Sequence, residues 1–407
     1  MKLRNLMYAT MIACAFASCS KDDVIDGGQE PAKGEGTLTI SVNTKGTKAV
    51  GEGDASVNEL AVFLYKVTGE GDAQVKTLAG QQYANAYTTD GQIVFNDLTA
   101  GDKYMCVGFA NLGTVTAAQA AGTDPLGLTI ASELYGSTDI PMHGVSDVVT
   151  ISATGTNEAT IDLTRDLAKV ELTAVTLNMN YLDGEGKRYG DYISGTASFK
   201  FLSASINSAA QAVNYTYSNA GAATYADPSV FVGGLGNSWS WAISSTKTLG
   251  NTSDVTGYKV ADATLAAATQ TIGTPGAEAT EEETKGYAEQ SVAKPESVVF
   301  YVLPNTTADK TTLTLEGTMT LTNAATETQS NINNTVKGYY NIEIGKDATA
   351  DQGYSYTAGS GVHANDYFKI QAIVVGTGSG IGGDRPSLIV KTRVAAWNAI
   401  TQIAPVK

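Results

Sequence analysis

The sequence predicts an all-β protein built as sandwiches, and three observations predict it. Thr, Val, Ala, Gly and Tyr dominate a chain of 407 residues, while charged residues make up only 16% against 43% apolar, a composition suited to many short strands. Turn-forming residues recur at about every 8–12 positions, the spacing of a β-sandwich. Several segments alternate apolar and polar side chains with a period of two, and Ala168 to Tyr181 is the cleanest of them. The length exceeds that of a usual single domain, so two are expected.

The elements follow in order. Lys2 and Arg4 precede an apolar run from Leu6 to Ala17 and the small residues before Cys19. This is an export signal, too short to span a bilayer. A cysteine directly after the small residues resembles a lipobox, with Cys19 as the acylated first residue; an ordinary secretory signal is the alternative. Ser20-Lys21-Asp22-Asp23 resembles the acidic tag of surface lipoproteins of Bacteroidota. Val24 to Glu35 reads as a polar tether. Gly36 to Thr44 is the first strand, with Leu38, Ile40 and Val42 on one face. Asn58 to Val67 is apolar on both faces, as a central strand is. Gln92 to Leu98, Tyr104 to Leu112, Val148 to Ser152 and Ala159 to Leu163 complete the first half, with a short helix expected over Thr114 to Ala121.

A second half begins near Thr164. In Ala168 to Tyr181, Val170, Leu172, Ala174 and Thr176 are expected on one face and Glu171, Thr173 and Val175 on the other. Asp183-Gly184-Glu185-Gly186-Lys187 is a hairpin turn. Further strands are expected at Ser198 to Ile206, Val298 to Leu303, Thr311 to Leu321, Thr335 to Ile344 and Tyr367 to Val375. Ala261 to Glu289, with Glu281, Glu282 and Glu283 in a row, reads as a long exposed loop. Gly376 to Pro386 carries five glycines and reads as a tether that leaves the following strand free to depart. In that last strand Leu388, Val390 and Val394 share a face, Lys391 and Arg393 take the other, and Trp397, Ile400 and Ile403 follow.

Several function classes are excluded or find no support. A formal charge of −15 leaves no basic stripe for nucleic acid or for an anionic membrane surface. Gly378, Gly380 and Gly383 match a dinucleotide fingerprint, but no helix follows to receive a pyrophosphate. His143 and His363 stand apart without cysteine partners, so zinc is not expected, and the glutamate run lacks calcium-loop spacing. Past the export segment Cys106 is the one cysteine left, and its strand context makes it a buried, inert thiol. Trp239 and Trp241 share a side if extended, as a glycan platform or as core packing. No catalytic, cofactor-binding or metal-binding residue is expected, and the chain does not read as an enzyme.

Four places carry a family resemblance: the lipobox Cys19; Thr47-Lys48-Ala49-Val50-Gly51; Thr164-Arg165-Asp166-Leu167-Ala168; and Asn365-Asp366-Tyr367-Phe368-Lys369-Ile370 with the glycine-rich connector and a tail bearing Trp397. Met142-His143-Gly144 and Val302-Leu303-Pro304-Asn305 add smaller features. Together they resemble the FimA-type major fimbrillins, stalk subunits of type V pili in Bacteroidota. The resemblance implies two tandem transthyretin-like Greek-key β-sandwich domains with minor short helices. It divides the chain into a signal peptide (1–18), a lipidated leader with a removable first strand (19–48), an N-terminal sandwich (49–163), a C-terminal sandwich with its tether (164–386) and a donor strand (387–407). It further implies cleavage between Lys48 and Ala49 by a trypsin-like protease, where better-known members present Arg. Loss of Leu38, Ile40 and Val42 would open a groove. A neighbour's Leu388, Val390, Val394, Trp397, Ile400 and Ile403 would refill it. The partners so implied are other copies of the chain, tip or accessory fimbrillins and host or bacterial surface ligands. The precursor would be an outer-membrane lipoprotein touching the membrane only through its lipid, and the mature form would lie in surface fimbriae that mediate adhesion. The alternative is a tip or accessory fimbrillin, or a surface lipoprotein that binds glycans or host proteins.

Overall fold

The computed structural model describes residues 35–44, 57–84, 93–111, 129–131, 140–181, 193–210, 212–217, 223–225, 231–232, 259–261, 264–272, 289–296, 298–326, 332–377 and 388–396. Among them the regular structure is all strand apart from one single-turn 3-10 helix at Gly71–Ala73. In the first half the strands are β1 (Glu35–Thr44), β2 (Leu60–Thr68), β3 (Val75–Ala84), β4 (Ile93–Thr99), β5 (Lys103–Ala110), β6 (Thr129–Ala131), β7 (Met142–Val145), β8 (Val149–Thr150) and β9 (Asn157–Arg165). The second half begins with β10 (Ala168–Leu177), β11 (Ile193–Asn207), β12 (Ala209–Ala210), β13 (Ala212–Tyr217), β14 (Ala223–Tyr225), β15 (Phe231–Val232), β16 (Lys259–Ala261) and β17 (Ala268–Ile272). It continues with β18 (Gln290–Ser291), β19 (Val299–Val302), β20 (Thr312–Thr326), β21 (Ile332–Glu343), β22 (Thr349–Ala350), β23 (Asp366–Val374) and β24 (Leu388–Ala396).

The first half is one curled sheet in the order β3-β2-β5-β7-β9-β1-β4, with β8 paired to β5. Its inner face closes on a core of Leu38, Ile40, Val42, Leu60, Val62, Leu64, Phe95, Cys106, Ile161 and Leu163, among others. β5 meets β9 across that core: a Cβ on Gly108 would lie 3.3 Å from Ile161. β2 is apolar on both sides because both sides are covered. Its Leu60, Val62 and Leu64 face the first core, and its Ala61, Phe63, Tyr65 and Val67 face a second cluster. That second cluster joins the halves. Phe63 meets Phe109 edge-to-face at 5.9 Å, and Leu167, Ala210 and Leu303 come from the later part of the chain. Pairing of β6 with β13 adds a second link between early and late residues.

The second half buries its core between two sheets, β18-β10-β23-β24-β22 with β19 on β10, and β16-β11-β20-β21 with β17 on β11. Phe199 lies edge-on to Tyr340 at 5.6 Å, and Gly317 leaves the room for the Phe199 ring that any Cβ would take.

Two expectations need correction. In β10 the alternation does not run unbroken: the ladder to β23 shifts between Leu172 and Ala174. Beyond that bulge Val175 and Leu177 face the core in place of Ala174, because an extra residue moves every later side chain to the opposite face. Ala261 to Glu289 is not all loop. Ala268–Ile272 pairs with β11 and buries Ala268, Gln270 and Ile272. Two of its three inward residues, Ala268 and Gln270, are small or polar, which hid the period in the sequence. The helix expected over Thr114 to Ala121 and the turn at Asp183 to Lys187 lie outside the described residues.

Candidate functional site

The first candidate is the seat of β1. Leu38 and Ile40 are fully buried and Val42 nearly so. The strand is paired on both sides: parallel to β9 from Leu38↔Asn157 to Thr44↔Leu163, and antiparallel to β4 through Glu35↔Thr99, Gly36↔Leu98 and Leu38↔Phe95 to Ile40↔Ile93. Both partners come from later in the chain, so β1 is the filling of a gap rather than an arm of a hairpin. Asn157 fastens one end. Its Nδ2 donates to Thr37 O at 3.0 Å and to Ser152 O at 3.2 Å, and its Oδ1 accepts from Ser152 N at 2.9 Å.

The second candidate is β24. It pairs antiparallel with β23 along its whole length, from Asp366↔Ala396 to Val374↔Leu388. On its other side, among the described residues, the short β22 pairs with it at Arg393 and Val394. Val394 is fully buried, while Leu388 and Val390 are half-buried and pack against the second-half core. Lys391 and Arg393 point outward as the alternation predicts. Lys391 Nζ lies 3.4 Å from Glu289 Oε1, and Arg393 donates to Asp351 Oδ1 at 3.1 Å. Leu388, Val390 and Thr392 also line an open cavity of about 430 Å³ beside Ile342 and Lys346. Where the sequence alone suggests a strand free on its tether, these nine residues sit in their own chain's sheet. They do not meet β1, which belongs to a different sheet and core.

Cys19, Lys48, Ala49, Trp397, Ile400 and Ile403 lie outside the described residues, as do Trp239, Trp241, Gly378, Gly380, Gly383 and Glu281 to Glu283. Among the described residues no group of three or more His, Cys, Asp or Glu could hold a metal ion. Cys106 is buried in the first core, and burial pushes its thiol up to about 12.

Sequence reasoning overlooked what the two motif aspartates do. Asp166 is fully buried and bonded through Oδ1 to His143 Nδ1, and its amide donates to Pro141 O at 2.9 Å. Asp366, also fully buried, accepts from the His363 amide at 3.0 Å and from the Tyr354 hydroxyl, and His363 Nδ1 lies 3.2 Å away. Burial first, and then the Asp366 carboxylate, raise the Tyr354 phenol well above its usual value. The two motifs meet through Asn365 N, which donates to Leu167 O at 2.9 Å. The arrangement braces the entries of β10 and β23. Long-range pairs such as His143 with Asp166 leave no spacing signal in a sequence.

A curled first sheet with a gap-filling strand, a second sandwich and a shared hydrophobic junction define an all-β protein. Residues 36–188 match the family of the major fimbrial subunit protein (FimA), so the resemblance drawn from motifs is met by a match to that family. It is a family of structural fimbrial subunits of the cell surface, not of enzymes. Searched against curated proteins, the chain has no match. Among solved structures it is similar to a candidate cell adhesion protein from Parabacteroides distasonis, at TM-score 0.55 and 18% identity over 91% of this chain and 100% of the other. A second such protein from the same species gives 0.54 and 14% over 91% and 100%. One from Bacteroides eggerthii gives 0.51 and 18% over 91% and 98%. These likenesses show the fold.

Proposed function

We propose that the chain is the structural subunit of a surface fimbria and that it polymerises by protease-triggered strand replacement to mediate adhesion. Residues 1–18 direct export, Cys19 carries the lipid, and cleavage between Lys48 and Ala49 removes the leader together with β1. The remaining chain is two transthyretin-like Greek-key sandwiches, 49–163 and 164–386, and residues 387–407 of a neighbour supply the replacement strand. Its partners are further copies and accessory or tip fimbrillins, with host or bacterial surface molecules as adhesion targets.

The observation that carries this reading is the seat of β1. Its removal would leave β9 and β4 each with an unpaired edge, and an apolar trough between them where Leu38, Ile40 and Val42 had been. Open strand edges are templates for another strand. Each apolar side chain returned to the trough contributes about 1.5–3 kcal/mol. The home seat of β24 is shallower, so the tail gains burial by moving. The contact joins different surfaces head to tail and does not close on itself, which makes a filament. While β1 is attached the trough is full and assembly is blocked.

The experiment is an assembly assay on purified precursor. Uncleaved chain is expected to stay monomeric and cleaved chain to form fibres, and removal of Ser387 to Lys407 is expected to abolish them. Fibres that persist without the tail would contradict the proposal.

A further inference from the structure

One end of the β1 seat has no room for a side chain. A Cβ on Gly36 would overlap Ile151 Cγ2 and touch Ser152 O at 3.0 Å, with Asn157 Nδ2 at 3.5 Å. The wall behind it is pinned. Ile151 is buried in the first core, its amide donates to Asp102 O at 2.9 Å, and its carbonyl accepts from Gly101 N at 2.8 Å. Asp102 is held in turn by Lys66 at 2.7 Å. The strand ladder to β4 is irregular at the same point, between Gly36 and Leu38. An occupant of this seat therefore reads as no side chain, then three apolar residues at every second position, as Gly36, Leu38, Ile40 and Val42 do.

We propose that Ile151, backed by Ser152 and Asn157, is a register gate that reserves this seat for a strand lacking a side chain two residues ahead of its first buried apolar residue. The leader satisfies the gate. The tail does not, because residues 384–407 contain no glycine. A tail strand aligned with Leu388, Val390 and Thr392 at the three apolar positions would bring Pro386 to the gate. Reversed, with Val394, Thr392 and Val390 in place, it would bring Ala396. The gate thus ranks the chain's own leader above any copy's tail for as long as the leader is attached, and proteolysis is what reverses the order. The fit of Gly36 stands on its own geometry; the gate's choice between strands rests on the strand-replacement reading above.

The test uses the full chain with a specific protease site placed in residues 45–48. It is cleaved in the presence of fluorescent peptides of residues 34–44, either native or carrying Gly36→Val. The native peptide is expected to bind, and the Gly36→Val peptide at least tenfold more weakly. In an Ile151→Ala chain the difference should shrink to within about threefold. Equal binding of both peptides to the native chain would overturn the gate. Failure of the native peptide to bind would overturn strand replacement itself. A second measurement separates the two: in the uncleaved chain, Gly36→Val should lower Tm and Ile151→Ala should restore part of the loss. If Ile151→Ala only adds to the damage, the gate is wrong whatever the peptides do.

Discussion

β1 and β24 stand near opposite ends of the chain, each apolar on one face, and they are held by different means. β1 is fully buried at Leu38 and Ile40, paired on both edges and locked at one end by Asn157. β24 is half-buried at Leu388 and Val390 and fully buried only at Val394, is paired along its whole length on one edge and at two residues on the other, and is clipped on its outer face by two ion pairs from the exposed Lys391 and Arg393. Apolar burial of this depth is worth kilocalories, whereas exposed ion pairs are worth about 0–1 kcal/mol. Of the two strands, β24 is the one that can leave at the lower cost, and the seat of β1 is the deeper one to refill.

The largest predicted effect lies in the deep seat. Ile40→Asp would bury a carboxylate without a partner and should destabilise the uncleaved chain by about 4 kcal/mol or more. Val390→Asp, at a half-buried position, should cost far less, and urea unfolding of the two variants would rank them. Truncation gives the same order more gently. Ile40→Ala should cost about 2–5 kcal/mol, and Val390→Ala about 1 kcal/mol. Equal losses would erase the contrast between the strands.

A thiol reporter sharpens it. Cys106 lies in the core that β1 covers, and its folded pKa of about 12 exceeds its ordinary 9.0. The stability linked to this thiol is therefore fully present below the unfolded value near 9 and is lost as pH rises toward about 12. At pH 8 the intact chain should resist iodoacetamide. Removing β1 should speed labelling at least tenfold, whereas deleting residues 387–407 should leave it unchanged. The smallest effect belongs to the outer face of β24. Arg393→Ala and Lys391→Ala should each change stability by about 0.5 kcal/mol or less, and less still in 0.5 M salt. Hydrogen exchange confined to β24 is the sensitive readout.

Much of this contrast was legible in the residues. The alternation of Leu38, Ile40 and Val42, and of Leu388, Val390 and Val394, marks both strands and their inward faces. The unbroken apolar run of β2 marks a strand covered twice. What stayed hidden depends on partners distant in sequence. Periodicity says which face is buried but not which strand lies alongside, so the parallel pairing of β1 with β9 had no signature. The bulge in β10 turns its far end over without any glycine to announce it. Ala268–Ile272 turns one small and one polar residue inward beside Ile272, too weak an alternation to read as a strand. Gly36 reads simply as the start of the first strand, and its meaning appears only when Ile151 is seen behind it.

In the proposed filament, the strand refilling the seat of β1 comes from another copy. This is tested most directly by assembling filaments from an equal mixture of nitrogen-15-labelled and unlabelled cleaved subunits and then crosslinking the tail to β9 and β4. Mass spectrometry should find hybrid pairs, one peptide labelled and the other not, at about half of all tail-to-seat crosslinks. Only same-isotope pairs, or no tail-to-seat crosslinks in well-formed filaments, would contradict the account.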